Sequence, residues 1–281
     1  MKLNAVRRVA VGRKEITLSE AASDAFVTYR LEGDVAVLGL NRPAKRNAIS
    51  DNFIEALGSA VQRADREAKA GILFGHGDHF CAGLDLGEHV KKTPIEGVRG
   101  SRQWHRIFST IQYGTIPWVS ALRGAVVGGG LELAASTHIR VAERGAFFAL
   151  PEGQRGIFVG GGGSVRVARL MGVARMADMM LTGRVASADE AERWNLVQYL
   201  VENGEAQAKA LALAQQAATN AELSNYAVIH ALPRIQEMAQ EDGLFVESFV
   251  SAFTATSPEA EARLNAFLEK RAARLNVPPA R

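Results

Sequence analysis

Three consecutive glycines separate a strand pattern from a helix pattern in Gly124-Ala125-Val126-Val127-Gly128-Gly129-Gly130-Leu131-Glu132-Leu133-Ala134-Ala135. No other stretch constrains the chain as much. Leu131, Ala134 and Ala135 recur at helical spacing, which puts Gly129 and Gly130 in a first turn, where backbone N–H groups have no intrahelical partner. With no side chain in the way, a ligand oxygen can reach those donors and the positive end of the helix dipole. Anion stabilisation is the expected use.

Around this junction strands and helices alternate. Residues 1–24 show no sustained period and read as an extension ahead of the globular part; Arg7, Arg8, Arg13 and Lys14 precede its first acid, Glu15. Phe26 to Arg30 and Val35 to Leu40 form apolar runs around Glu32-Gly33-Asp34, a hairpin signal, and Asn41-Arg42-Pro43 closes the second run. Ser50 is placed to cap a helix whose buried face carries Phe53, Leu57, Val61 and Ala64. A strand at Gly71 to Phe74, a helix over about 97–112, and strands at Pro117 to Leu122 and His138 to Ala142 continue the alternation. Ala146 to Leu150 follows, then a second glycine run, Gly160 to Gly163, opens a helix that Gly172 stops. Ser187 and Glu190 make a capping box, and Leu196 to Val201 is the last strand expected. From residue 205 to residue 281 only helical patterns appear, over about 205–219, 223–240, 243–254 and 258–275. The division is therefore an extension at 1–24, an α/β core at 25–204 and a helical region at 205–281.

With 47% hydrophobic and 22% charged residues among 281, the composition is that of a folded globular enzyme. A formal charge of +3 without a basic run gives no footprint for nucleic acid or a membrane surface. The single cysteine, Cys81, excludes an internal disulfide and suits a reducing compartment, the cytoplasm being the expectation. His76, His79, Cys81 and His89 share one loop, but no ligand pair repeats at zinc spacing; the histidines read as solvated loop residues, and no metal is expected. A dinucleotide turn is excluded by register: counting from Gly128 the motif wants glycine or alanine where Leu133 stands, and from Gly160 where Val165 stands. No G-x-x-x-x-G-K-[ST] loop occurs.

Two carboxylates remain beside glycine clusters, Glu132 and Glu152. Glutamate in a first helical turn is ordinarily explained by the macrodipole, and glutamate after a strand ordinarily faces water. As a pair on one substrate they would make an acid/base site.

Three segments together resemble the enoyl-CoA hydratase/isomerase (crotonase) superfamily: Phe80 to Leu86, Gly124 to Ala134 and Phe148 to Glu152. Asn41-Arg42-Pro43 with Asn47-Ala48, Leu181-Thr182-Gly183 with Ser187-Ala188, and Phe267 to Arg271 extend the likeness from about residue 25 onward. The resemblance implies an α/β fold, a crotonase-like spiral of ββα units with a C-terminal helical trimerisation region, assembled as a homotrimer or a hexamer of two trimers. It implies an acyl-CoA thioester as substrate, with coenzyme A entering as part of that substrate and no separate cofactor. Its oxyanion hole falls on the backbone N–H groups of Leu84 and Gly129, an arrangement whose donors are worth roughly 3 to 4 kcal/mol each. Two glutamates favour hydration of a trans-2-enoyl thioester, Glu132 as base for water and Glu152 as acid. A single-base isomerase, or another crotonase-type lyase or hydrolase, is the alternative, followed by a non-catalytic thioester- or RNA-binding homologue. Substrate contacts fall on Lys45, Arg46, Ala48, Ala82, Asp85, Leu86, Gly128, Pro151 and Gly160, and on Phe267 and Lys270, the last two reaching the nucleotide of a neighbouring subunit. One departure stands out: Phe158-Val159 precedes Gly160 where many hydratases of the family carry isoleucine-proline, which bears on the acyl pocket.

Overall fold

The computed structural model describes residues 26–87, 92–269 and 271. The expected extension at 1–24, together with His89 and Lys270, lies outside the described residues. Strands β1 (Val27–Glu32) and β2 (Val35–Leu40) form the expected antiparallel hairpin, with Gly33 at a φ of 59° in the turn. Four further strands extend the sheet in parallel beyond β2: β3 (Ala70–Gly75), β4 (Trp118–Leu122), β6 (Ile139–Glu143) and β9 (Tyr199–Val201). Side chains alternate between two cores. Leu38, Leu40, Leu73, Trp118 and Leu122 meet helices α1 (Asp51–Glu67) and α2 (Pro94–Gln112), while Val35, Val37, Ile72, Val119 and Val141 meet α7 (Ala206–Ala218) through Ala206, Ala210 and Ala214. Covering both faces explains why these strands read as continuous apolar runs.

A second, smaller ladder is built from β5 (Ala125–Val127), β7 (Phe147–Ala149) and β8 (Val185–Ser187). Bridges Ile49↔Leu84 and Cys81↔Val126 prolong it to earlier turns of the chain. Each turn thus leaves a strand in the large sheet, adds a short extended piece to the second ladder and returns through a helix. This is the repeating ββα spiral. Its second ladder carries Leu84, β5 with the start of α3 (Gly129–Ala134), and β7, which leads into Glu152.

The structure departs from the expectations where glycine has two meanings. After Gly172 the chain re-enters a helix at once, α5 (Val173–Thr182), because a φ of 88° at that glycine redirects the axis without a loop. Gly243 lies inside α9 (Gln240–Ala255), not between helices; a Cβ there would stand 3.3 Å from Ile235 at the end of α8 (Glu222–Ile235), so the glycine serves close helix contact. α2 begins at Pro94, earlier than expected, because Thr93 and Glu96 form a capping box. The stretch after residue 204 opens with α7, which is a layer of the sheet, and continues through α8, α9 and α10 (Pro258–Leu268). Among the described residues no helix is long and apolar enough to cross a membrane.

Candidate active site

Gly128 caps α3 with φ 53° and ψ −123°, a conformation L side chains rarely adopt, and its N–H donates to Ala149 O at 2.9 Å. That bond ties the helix start to the end of β7. Gly83 lies on top of it: a Cβ at Gly83 would stand 2.7 Å from Val127 O and 3.1 Å from Gly129 N. The N–H groups of Leu84 and Gly129 are thereby brought to one place, and among the described residues neither donates to a protein acceptor. Both residues line a cavity of about 170 Å³ together with Glu132, Glu152, Trp104, Ile157, Phe158 and Gly160. A larger hollow of about 930 Å³, near Asp34, Arg66 and Arg263, contains none of these groups. Both glutamates and both free N–H groups lie at the smaller one.

The two carboxylates share that cavity but differ in their partners. Glu132 is 2% exposed, and its Oε1 accepts the N–H of Gly161 at 2.8 Å and of Gly163 at 2.7 Å. Burial pushes its carboxyl above the ordinary value, the two glycine N–H groups pull it down, and the charge of Glu152 raises it. Glu152 is 7% exposed, and its Oε2 is buried without a hydrogen-bond partner. Burial raises this carboxyl too, opposed by its own backbone N–H and by Arg155. A carboxylate gripped by two N–H dipoles is suited to carry charge; one with an orphan oxygen is suited to hold a proton.

The expected coenzyme A segments adjoin one another. Ala82 N donates to Arg46 O at 2.9 Å, joining the Lys45–Ala48 turn to the segment that carries Leu84. Arg46 and Asn47 both adopt the left-handed region, with φ of 50° and 56°. Arg46 is exposed and Ala48 buried. Asp85 is engaged in the scaffold: its Oδ2 accepts from Arg42 and from Lys45, each at 3.0 Å, and its Oδ1 accepts from Gly87 N at 3.1 Å. Leu86 is exposed beside it, and Pro151 is half-buried next to Glu152. Phe267 is 68% exposed on α10 and is not among the residues lining this cavity. Two of the loop histidines, His76 and His79, are built into the fold instead of being solvated. His79 Nδ1 accepts from Ala125 N at 3.0 Å, and His76 Nε2 is 2.8 Å from Thr28 Oγ1.

Several groups at the site escaped the sequence reading. Trp104 walls the cavity, and a Cβ on Gly129 would stand 2.6 Å from its Cζ3. Gly161 and Gly163 are the hydrogen-bond donors to Glu132; a Cβ on Gly163 would stand 2.8 Å from Glu132 Cγ. Asn47, fully buried, donates through Nδ2 to His76 O and His79 O and accepts from Arg42 N, locking the turn under Ala48. The second glycine run was the available signal for the Glu132 donors, since four glycines exceed what a helix start needs.

A family model described as enoyl-CoA hydratase/isomerase matches residues 30–276. An enoyl-CoA hydratase of Mycobacterium tuberculosis is 32% identical over 90% of this chain and 96% of its own length. A 2,3-dehydroadipyl-CoA hydratase of Escherichia coli is 31% identical over 84% of this chain and 93% of its own. Among solved structures, a Rhodopseudomonas palustris protein carrying a provisional enoyl-CoA hydratase name superimposes with a TM-score of 0.86 at 51% identity, covering 88% of this chain and 95% of that one.

Proposed function

Since the chain belongs to the enoyl-CoA hydratase/isomerase family, we propose that it adds water across the C2–C3 double bond of trans-2-enoyl-CoA thioesters, with Glu132 and Glu152 as its base and acid. One observation carries the assignment of roles: two buried carboxylates border one cavity, one held by two backbone N–H groups and the other with an unpartnered oxygen.

The thioester oxygen accepts from the N–H groups of Leu84 and Gly129. Fixed donors aimed at that oxygen stabilise the negative charge that arrives there when C3 is attacked. Glu132 Oε1 is occupied by Gly161 and Gly163, which leaves Oε2 as the oxygen that takes a proton from water as the water oxygen bonds to C3. The electron pair of the double bond moves through C2 to the thioester oxygen. Glu152 returns a proton to C2, and the pair collapses from the oxyanion to form the C2–H bond. The turnover leaves Glu132 protonated and Glu152 ionised, and net transfer of one proton from the first to the second restores the site. Loss of the conjugated-thioester absorbance with crotonyl-CoA, together with a product heavier by one water in mass spectrometry, tests the reading. An unhydrated, isomerised product from a longer enoyl-CoA would favour the single-base alternative.

On the same reading Lys45, Arg46, Ala48 and Ala82 border the coenzyme A moiety, while Asp85 orients Lys45 there. Phe158, exposed at the rim of the cavity, shapes the acyl end. The assembly is a homotrimer or a pair of trimers, supported by exposed Phe245, Phe249, Phe253, Leu264 and Phe267 on α9 and α10, more apolar surface than a monomer ordinarily leaves in water. In it Phe267 approaches a neighbour's nucleotide. The buried Cys81 thiol, pushed up to about 12 by burial, is chemically inert and compatible with the cytoplasm.

A further inference from the structure

The Glu132 grip depends on a loop of four glycines, Gly160 to Gly163, which has no side chains of its own to hold its shape. Three of its positions exclude side chains. A Cβ would stand 2.9 Å from Phe108 at Gly161, 2.3 Å from Arg166 Nη1 at Gly162 and 2.8 Å from Glu132 at Gly163. The loop is held from outside. Arg166, on α4 (Gly163–Met171), is buried, and all three of its nitrogens are used: Nη1 donates to Gly161 O at 3.0 Å, Nη2 to Ser109 Oγ at 3.0 Å, and Nε to Gln112 Oε1 at 2.6 Å. Ser109 and Gln112 belong to α2, so the guanidinium spans from a helix of the core to the glycine loop. No carboxylate hydrogen-bonds to the guanidinium, but the charge of Glu132 acts on it, so a variant that keeps the guanidinium and removes its anchors is what separates positioning from plain charge.

We propose that Arg166 is a positioning residue for catalysis: anchored on Ser109 and Gln112, it fixes the Gly161 carbonyl so that the N–H groups of Gly161 and Gly163 converge on Glu132 Oε1. A planar fork with donors in three directions does this with little freedom left, which a lysine cannot match. The clamp rests on the hydratase reading only for its catalytic consequence; its geometric consequence, the state of Glu132, is measurable without substrate.

The test uses the full-length protein and three variants: Arg166→Met, Arg166→Lys, and the double Ser109→Ala/Gln112→Met, which keeps the guanidinium and removes its anchors. Side-chain 13C NMR titration, with the Glu132 signal assigned from Glu132→Gln, reads the carboxyl directly. In Arg166→Met the Glu132 midpoint should move up by about one pH unit, the scale of losing hydrogen bonds to the charged form. The acid limb of kcat/KM should move with it. At the plateau kcat should fall about 10-fold, less than the roughly 100-fold or more for losing a positioned base outright because the base is displaced and not removed, with KM nearly unchanged because Arg166 is not among the cavity-lining residues. Arg166→Lys should recover part of both, and the anchor double variant should show a smaller shift of the same sign. If Arg166→Met does not fold, the double variant decides. A folded variant in either position with an unmoved Glu132 titration overturns the proposal, while a wild-type protein that fails to hydrate any enoyl-CoA overturns the hydratase reading and leaves the NMR result standing.

Discussion

Glu132 and Glu152 face one cavity with opposite hydrogen-bonding: Glu132 Oε1 takes two backbone N–H bonds, and Glu152 Oε2 is buried with none. The pair is asymmetric before any substrate arrives, as the proposed acid/base roles require. That asymmetry comes from backbone placement, glycine N–H groups on one side and a strand end on the other.

Replacing either carboxylate by its amide should therefore remove the chemistry and leave the fold. Glu132→Gln and Glu152→Gln are each expected to lower hydration turnover by at least about 100-fold, the usual scale for losing a positioned acid or base. Binding of a saturated acyl-CoA, measured by calorimetry, should stay within a few-fold of wild type. Near-normal turnover in either variant would remove that residue from the mechanism.

The same couple predicts a bell-shaped dependence of kcat/KM on pH. Both carboxyls are raised by burial, and the active form needs Glu132 ionised and Glu152 protonated. The acid limb then follows Glu132, the alkaline limb follows Glu152, and the two apparent values belong to the pair. Because the Glu152 carboxyl is raised, its limb should fall above the ordinary carboxylate range. A profile that stays flat across the alkaline side in wild type would rule out Glu152 as the proton donor.

Stability should respond to pH through a different residue. His138 is neutral in the fold: its Nδ1 accepts from Trp118 N at 2.9 Å, which leaves Nε2–H to donate to Gln112 O at 3.1 Å. Burial pushes its pKa down from the usual 6.5 to about 4. With the folded value depressed, the unfolded chain takes up the proton first. The stabilising contribution is thus complete above about pH 6.5 and is lost as pH falls toward 4, by up to about 3 kcal/mol at 1.36 kcal/mol per unit. In denaturant melts, wild type should lose more stability than His138→Gln between pH 7 and pH 4, and parallel curves would refute this.

Assembly offers a fourth check. Phe245, Phe249 and Phe253 recur at four-residue spacing along α9, each more than 60% exposed, and the first two rings stack edge to face at 4.9 Å. A trimer or hexamer in light scattering is expected, and Phe249→Glu should shift it toward monomer. A monodisperse wild-type monomer at micromolar concentration would contradict the assembly.

Much of this was legible in the chain because it rests on periodicity and on glycine. The β1–β2 hairpin, the Ser187–Glu190 capping box and the helix start under Gly129 each leave a local signature, since capping oxygens and bare glycines act within a few residues. What stayed hidden is long-range and depends on backbone atoms. The run Gly160 to Gly163 signals that bare backbone is needed there, but not that its N–H groups will meet a carboxylate about 30 positions earlier. Arg166 reads as one more polar position of an amphipathic helix until α2 closes over it. The resemblance puts Asp85 among the substrate contacts, and no local pattern announces that its carboxylate also accepts from Arg42 and Lys45. Sequence reports which side chains are available; it does not report which of their atoms the fold consumes.

The last prediction concerns Gly129, whose N–H is one of the two unpaired donors. Gly129→Pro removes that donor while keeping a φ the first helical turn accepts, but the structure shows why Gly129→Ala alone is a poor control. A Cβ there would stand 2.6 Å from the Trp104 ring, which cannot flex away as an aliphatic chain would. Alanine should therefore lose activity through crowding although it keeps the N–H. Pairing each change with Trp104→Leu, which relieves the contact, separates the two effects. Gly129→Ala/Trp104→Leu should recover toward the activity of Trp104→Leu alone. Gly129→Pro/Trp104→Leu should remain at least about 100-fold lower, the cost of one oxyanion donor. Equal activity in the two double variants would mean that the Gly129 amide makes no bond to the developing oxyanion and that its lack of a side chain only makes room for Trp104.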